Sequence, residues 1–180
     1  VMKLKAFFFE ILPITTFFII AQYQSIIIAA LISSLFSLIV LITFYFVEKR
    51  IAKFQIFSIT LSGLLSILAF LYNEEIFVKI KPSIYNGLFS LVLLGGLLYK
   101  RPMMKQFFGS QFFLTEQTWF LLSLRWGLFF GFLTIANEFI WRNYSTEEWV
   151  FVKVFILFPL VGIFMLAQLP LTLRGRIKKD

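Results

Sequence analysis

Five long apolar runs divide the chain, and charge gathers between them. They are IIIAALISSLFSLIVLITFYFV (26–47), FQIFSITLSGLLSILAFLY (54–72), PSIYNGLFSLVLLGGLLY (82–99), TWFLLSLRWGLFFGFLTIANEFIW (118–141) and WVFVKVFILFPLVGIFMLAQLPLTL (149–173). A helix needs about 20 apolar residues to cross about 30 Å of hydrocarbon, so each run predicts one membrane span, the third slightly short. Pro159 removes an amide hydrogen bond inside the last run and predicts a kink there. A sixth run, AFFFEILPITTFFIIAQ (6–22), is shorter and contains Glu10 and Pro13. It carries no small-residue cleavage site and is read as a helix rather than a signal peptide. It either crosses the bilayer or lies in the interface, and crossing is the preferred reading. The fold class that follows is all-α: a polytopic transmembrane helix bundle, five clear spans plus a short N-terminal sixth helix, as a single integral membrane domain over 1–180.

The connecting segments alternate in sign. EKRIAK (48–53), KRPMMK (100–105) and RGRIKK (174–179) are basic, whereas NEE (73–75) and STEE (145–148) are acidic. Lysine and arginine stay in the cytoplasm when spans are inserted. That rule places the basic segments and the C-terminus inside, joined by Lys3 and Lys5 if the first run crosses. The one long connection, 100–117, sets Met104, Phe107 and Phe108 on one helical face and Lys105 and Gln106 on another. It predicts a short amphipathic helix on the cytoplasmic leaflet, with an irregular loop as the alternative.

Composition sharpens this picture. Of 180 residues 60% are hydrophobic and 14% charged, where a soluble domain has about 45–50% and about 25%. The net charge of +8 sits at the ends of apolar runs, so it reads as topology, not as a nucleic-acid surface. With no cysteine and no histidine, disulfides, thiol nucleophiles, imidazole bases and the usual zinc, copper or haem ligation are excluded. No phosphate loop or nucleophile–base pair is evident. The chain is expected to be no enzyme, to bind no cofactor or nucleic acid, and to have the lipid bilayer as its first partner.

The stretch LRWGLFFGFLTIANEFIWR (124–142) carries the main candidates. Arg125 and Arg142 lie about 25 Å apart along a helix, with Trp126 and Trp141 just inside them. Arginine and tryptophan together mark interfacial anchoring, and Trp119 and Trp149 are assigned the same role. Glu138 and Arg142 stand at i, i+4 in the favourable order. Two readings follow. The charges anchor the helix, or Asn137, Glu138 and Arg142 meet Lys153 or Lys79 in a functional polar patch. Glu10 is the other candidate member, because an ionisable group inside an apolar run is a site by default; alternatively it complements the N-terminal end of a helix that starts near Leu12. Small residues recur at four-residue spacing as Ser58/Ser62/Ser66, Ala29/Ser33/Ser37 and Gly127/Gly131, which suits close helix packing within the chain, or a homo-oligomer. Ser145 and Glu148 predict a capping box that opens the last helix.

Several of these segments resemble the intracellular septation protein A family: EILPITTFF, FVKIKPSIYNGLF, FGSQFFLTEQTWFLLSLRWGLFF, NEFIWRNYSTEEWVFVKVF and QLPLTLR, in this order over nearly the whole chain. The form LRWGLFF…NEFIWRN resembles alphaproteobacterial members. The resemblance implies a bacterial inner-membrane protein linked to septation, envelope biogenesis and envelope integrity, with cell-elongation and division membrane proteins as partners. Members are usually described with five spans, one fewer than the six preferred here. Pro82, Trp119, Trp126, Asn137, Trp149 and Lys153 fall in matching motifs, and no catalytic residue can be carried over. A non-enzymatic scaffold or membrane-homeostasis factor is the expected function. A small transporter or lipid-handling protein is the alternative, and it requires Glu10, Asn137, Glu138, Arg142 and Lys153 to converge on a cavity near mid-membrane.

Overall fold

The apolar runs become helices whose ends coincide with charge, proline or a capping side chain. The computed structural model describes residues 12–13, 15–48, 53–109 and 112–177. Its helices are α1 (15–21), α2 (Ile26–Glu48), α3 (Lys53–Tyr72), α4 (Ile76–Lys79), α5 (Lys81–Leu98), α6 (Met103–Phe108), α7 (Glu116–Asn143), α8 (Thr146–Val152), a π-helical turn (Lys153–Leu157), α9 (Phe158–Ala167) and α10 (Leu169–Arg174). Among the described residues there is no strand, only an isolated antiparallel bridge between Leu114 and Arg176. Four segments are long and apolar enough to cross a membrane: Ile26–Thr43, Ile76–Leu98, Glu116–Asn143 and Thr146–Arg174. A fifth apolar stretch, Ser58–Tyr72, lies within α3. Of the 6–22 run, residues 12–13 and 15–21 are helical, and Glu10 lies outside the described residues.

Two spans end alike. Asn73 after α3 and Lys100 after α5 adopt left-handed φ of 53° and 56°. The next amide then reaches back five residues, Glu74 N–H to the Ala69 carbonyl at 3.1 Å and Arg101 N–H to the Gly96 carbonyl at 2.8 Å. This closure satisfies carbonyls that the last helical turn leaves open.

Helix contacts divide the chain after Lys81 into two compact units, residues 1–81 and 82–180. In the first, a serine layer joins α2 to α3. Ser34 Oγ lies 3.0 Å from Ser62 Oγ and 2.9 Å from Ser66 Oγ, and all three serines are buried. Ala29 and Ala69 are fully buried as well. The predicted stripe of Ala29, Ser33 and Ser37 is used differently along its length: Ser33 Oγ donates to the Pro13 carbonyl at 2.7 Å and Ser37 Oγ to the Ser33 carbonyl, while the adjacent Ser34 faces α3. Lys81 Nζ donates to Ser62 Oγ.

In the second unit α5 and α7 run antiparallel along a seam of small residues. Ser83 meets Asn137, Gly87 faces Thr134, Ser90 faces Gly131, and Leu94 lies on Gly127. Ser90 Oγ donates to the Gly127 carbonyl at 2.8 Å. Thus the GxxxG pair serves packing within the chain. Phe89 stacks on Phe130 beside the seam, and Phe164 of α9 stacks on Phe129 with ring centroids 3.9 Å apart.

At the other end of α7, Leu114, Trp119 and Leu122 form a buried cluster with Met104 and Leu171 against it. The amphipathic helix expected in the 100–117 connection forms as α6, but its faces differ from expectation. Met104 packs inward, whereas Phe107 and Phe108 are exposed along with Lys105 and Gln106. The irregularity predicted at Pro159 takes the form of the π turn just before it, where the Phe158 N–H bonds the Lys153 carbonyl five residues back. Pro159 has no N–H to continue the α pattern.

Candidate functional site

The polar groups of the second unit gather where α5 begins, α7 ends and α8 begins. α8 starts at this place because Ser145 and Glu148 close the predicted capping box: Glu148 Oε2 accepts from the Ser145 N–H at 2.8 Å, and Ser145 Oγ accepts from the Glu148 N–H at 3.3 Å. The box fixes the direction of the next turn and turns Trp149 inward. Trp149 is 1% exposed, and its indole N–H donates to Asn137 Oδ1 at 3.0 Å. Asn137, 2% exposed, donates through Nδ2 to Ser83 Oγ at 2.8 Å. One amide therefore joins three helices. Interhelical hydrogen bonds of this kind contribute about 0.6 kcal/mol on average in a membrane protein, up to about 1.7.

The charged members surround that core. Glu138 Oε2 accepts from Arg142 Nε at 3.0 Å and from Nη2 at 2.9 Å. The same carboxylate lies against Ser83 and the Trp141 indole, although the buried Trp141 N–H makes no hydrogen bond of ordinary geometry. The Arg142 guanidinium lies over the Trp141 ring at 4.3 Å. Lys153, at the start of the π turn, places Nζ 4.6 Å from the centre of the Trp149 ring. Both are cation–π contacts, which strengthen as water is withdrawn.

The structure thus brings together Asn137, Glu138, Arg142 and Lys153, and adds Ser83 and Trp149. Lys79 belongs to the first unit and pairs with Glu75 at 2.8 Å. Glu10 lies outside the described residues. The gathered groups sit near helix ends: Asn137 is six residues, about 9 Å, from the C-terminal end of α7. Among the described residues no group of three or more acids that could hold a metal occurs.

The anchor assignments need correction at two positions. Trp119 and Trp149 are 2% and 1% exposed, so neither presents its ring to headgroups. Trp119 fills the cluster with Leu114 and Leu122, and Trp149 satisfies its N–H inside the protein. Trp126 is half-buried and packs edge-on against Phe164 at 4.9 Å. Arg125 is exposed, with Nη1 3.3 Å from Gln168 Oε1, and Trp141 is half-buried beneath Arg142.

Glu138→Gln is expected to cost at most about 0.5 kcal/mol, the range for a partly exposed i, i+4 pair. Thermal unfolding in detergent checks this; a loss as large as that from replacing Asn137 would place Glu138 within the structural core of the site.

Sequence reading missed Ser83. The available signal was the row of small residues Ser83, Gly87 and Ser90, at four- and three-residue spacing, of which Ser90 packs against Gly127 and Gly131.

The pattern of the family described as "Intracellular septation protein A" matches residues 4–179. The chain is 36% identical over 169 residues to the inner membrane-spanning protein YciB of Rickettsia canadensis, covering 93% of this chain and 94% of that one. The same protein of Rickettsia prowazekii is equally similar, at 36% over 169 residues and the same coverage. YciB of Mesorhizobium japonicum is 47% identical over 102 residues, which is 57% of this chain and 46% of that protein. No solved structure matches. With an all-helical structure carrying several apolar helices of membrane-crossing length, and with relatives matched over nearly the full chain, this protein belongs to the intracellular septation protein A family of multi-pass bacterial inner-membrane proteins.

Proposed function

We propose that the chain acts as a non-enzymatic scaffold of the inner membrane, supporting envelope biogenesis, envelope integrity and septation, with its C-terminus in the cytoplasm. The observation that carries this reading is the use of the intramembrane polar groups. Asn137 is held by Ser83 and Trp149, and Glu138 by Arg142. The Asn137 bonds knit α5, α7 and α8 together, the Glu138–Arg142 pair stays within α7, and both lie near one end of α7, away from the mid-membrane position that a transport site favours. Meanwhile Phe151, Phe155, Phe158, Ile163 and Leu166 stand exposed along α8, the π turn and α9. Such a face suits lipid or the helix of a neighbouring protein. The partners proposed for it are membrane proteins of cell elongation and division.

A photo-crosslinking residue at Phe155 or Phe158, introduced in cells, tests the reading. Adducts with an elongation or division protein are the expected result. Adducts only with lipid, or only with a second copy of the chain, would remove the partner assignment. Reporter fusions after Arg174 that report the outer side would overturn the orientation. A lipid-handling role is the second reading, favoured by the π turn at Lys153, since such turns concentrate at functional sites.

A further inference from the structure

At the end of the second unit opposite the Asn137 site, backbone pairing fastens the C-terminal tail to the segment before α7. The Thr115 N–H donates to the Gly175 carbonyl at 3.0 Å, and the Ile177 N–H donates to the Phe113 carbonyl at 2.8 Å. Met104 of α6 and Leu171 of α10 pack on one cluster, Leu114, Trp119 and Leu122. The Met104 N–H also donates to Ser123 Oγ at 3.2 Å. The turn after α5 with α6, the nearby residues 112–115, and the distant residues 174–177 are therefore held at one place.

Their side chains combine two properties. Lys100, Arg101, Arg174 and Arg176 are exposed cations. Lys105 is a fifth, paired with Glu116, the one carboxylate described at this end. Between them Phe107, Phe108, Phe112 and Phe113 are exposed. Phenyl rings beside guanidinium and ammonium groups match the boundary between acyl chains and phosphates. Apart from the Lys105–Glu116 pair, no ion pair is seen at this end among the described residues, and an anionic leaflet is a complement of fitting charge.

We infer that this tail-locked end is a binding site for the phosphates of anionic phospholipids in the leaflet it occupies. Arg174 and Arg176 carry the selectivity together with Lys100 and Arg101. The exposed phenylalanines take up the upper acyl chain of the same lipid. The backbone pairing matters because it holds the tail arginines beside α6, so the cations act on one headgroup region instead of as separate charges. This goes beyond the scaffold reading and does not depend on it.

The test uses the full chain, purified in neutral detergent and exchanged into nanodiscs containing equal amounts of phosphatidylglycerol and phosphatidylcholine. Lipids retained on release are counted by native mass spectrometry. The wild type is expected to retain phosphatidylglycerol preferentially, and less so at high salt. R174Q/R176Q and K100Q/R101Q should each lower the retained anionic-to-zwitterionic ratio, by up to about five-fold per charge removed. R174K/R176K should preserve most of the wild-type ratio. No preference in the wild type would overturn the site. So would a wild-type ratio in both glutamine variants, or a loss in R174K/R176K as large as in R174Q/R176Q, which would trace the effect to a disturbed tail.

Discussion

Gly127→Leu will separate α5 from α7 and destabilise the second unit by about 2–3 kcal/mol, the upper part of the range for forcing extra methylenes into a packed interior. A Cβ added at this position would stand 2.7 Å from Leu94 Cδ2 and 3.3 Å from Leu93 Cβ. The first neighbour is the tip of a side chain and can rotate. The second is fixed to the backbone of a residue only 1% exposed, so Gly127→Ala should already be costly and leucine more so. The damage extends to the hydrogen bond from Ser90 Oγ to the Gly127 carbonyl. Gly162→Ala is the matched control, because nothing lies within 4 Å of the added Cβ there. Unfolding of both variants in mixed micelles should show a large loss for the first and none for the second. Equal stability would mean that α5 and α7 do not approach as described.

Asn137→Leu is expected to cost about 2–4 kcal/mol. The substitution removes both of the amide's hydrogen bonds and strands the Trp149 N–H in the interior, and an unmet buried donor costs about 1–3 kcal/mol by itself. Trp149→Phe removes the donor as well as its need. Combined with Asn137→Leu it should therefore cost less than the two single losses added, by about 1 kcal/mol in a double-mutant cycle. Strict additivity would show that the Asn137–Trp149 bond contributes nothing. Because Glu138→Gln is expected to be nearly silent, the pair of neighbouring positions separates the buried part of the site from its charged rim.

The spans were legible in sequence because lipid asks little of a crossing helix beyond length and apolarity, and charge marks its exits. The boundaries of α2, α3, α5 and α7 fall within two residues of the apolar runs. What touches what was less legible, for a related reason. A leucine facing lipid and a leucine facing another helix have the same surroundings chemically, so no amphipathic stripe reports the inward face. Small and polar residues carry that information. Gly127/Gly131 gave it correctly, whereas Ser34 and Ser83 were passed over. Trp149 was misread because a tryptophan near the end of an apolar run has one sequence signature whether its N–H meets a headgroup or an asparagine. Asn137, Glu138, Arg142 and Lys153 could be grouped from spacing alone, since three share α7 and the capping box at Ser145 turns the chain back immediately. In the serine layer that receives Lys81, Ser62 and Ser66 were legible as part of the Ser58/Ser62/Ser66 stripe, whereas their meeting with Ser34 was not, because it depends on the register of α2 against α3.

The wide turn at Lys153–Leu157 changes the phase of everything after it. It holds one residue more than an ordinary turn, so side chains beyond Leu157 point about 100° away from where steady counting from Trp149 would put them. A relative without that extra residue should align here only with a one-position gap. If the gap is omitted, every position along the rest of the helix is assigned about 100° from where it stands, and a surface inferred by transfer would be drawn on the neighbouring face.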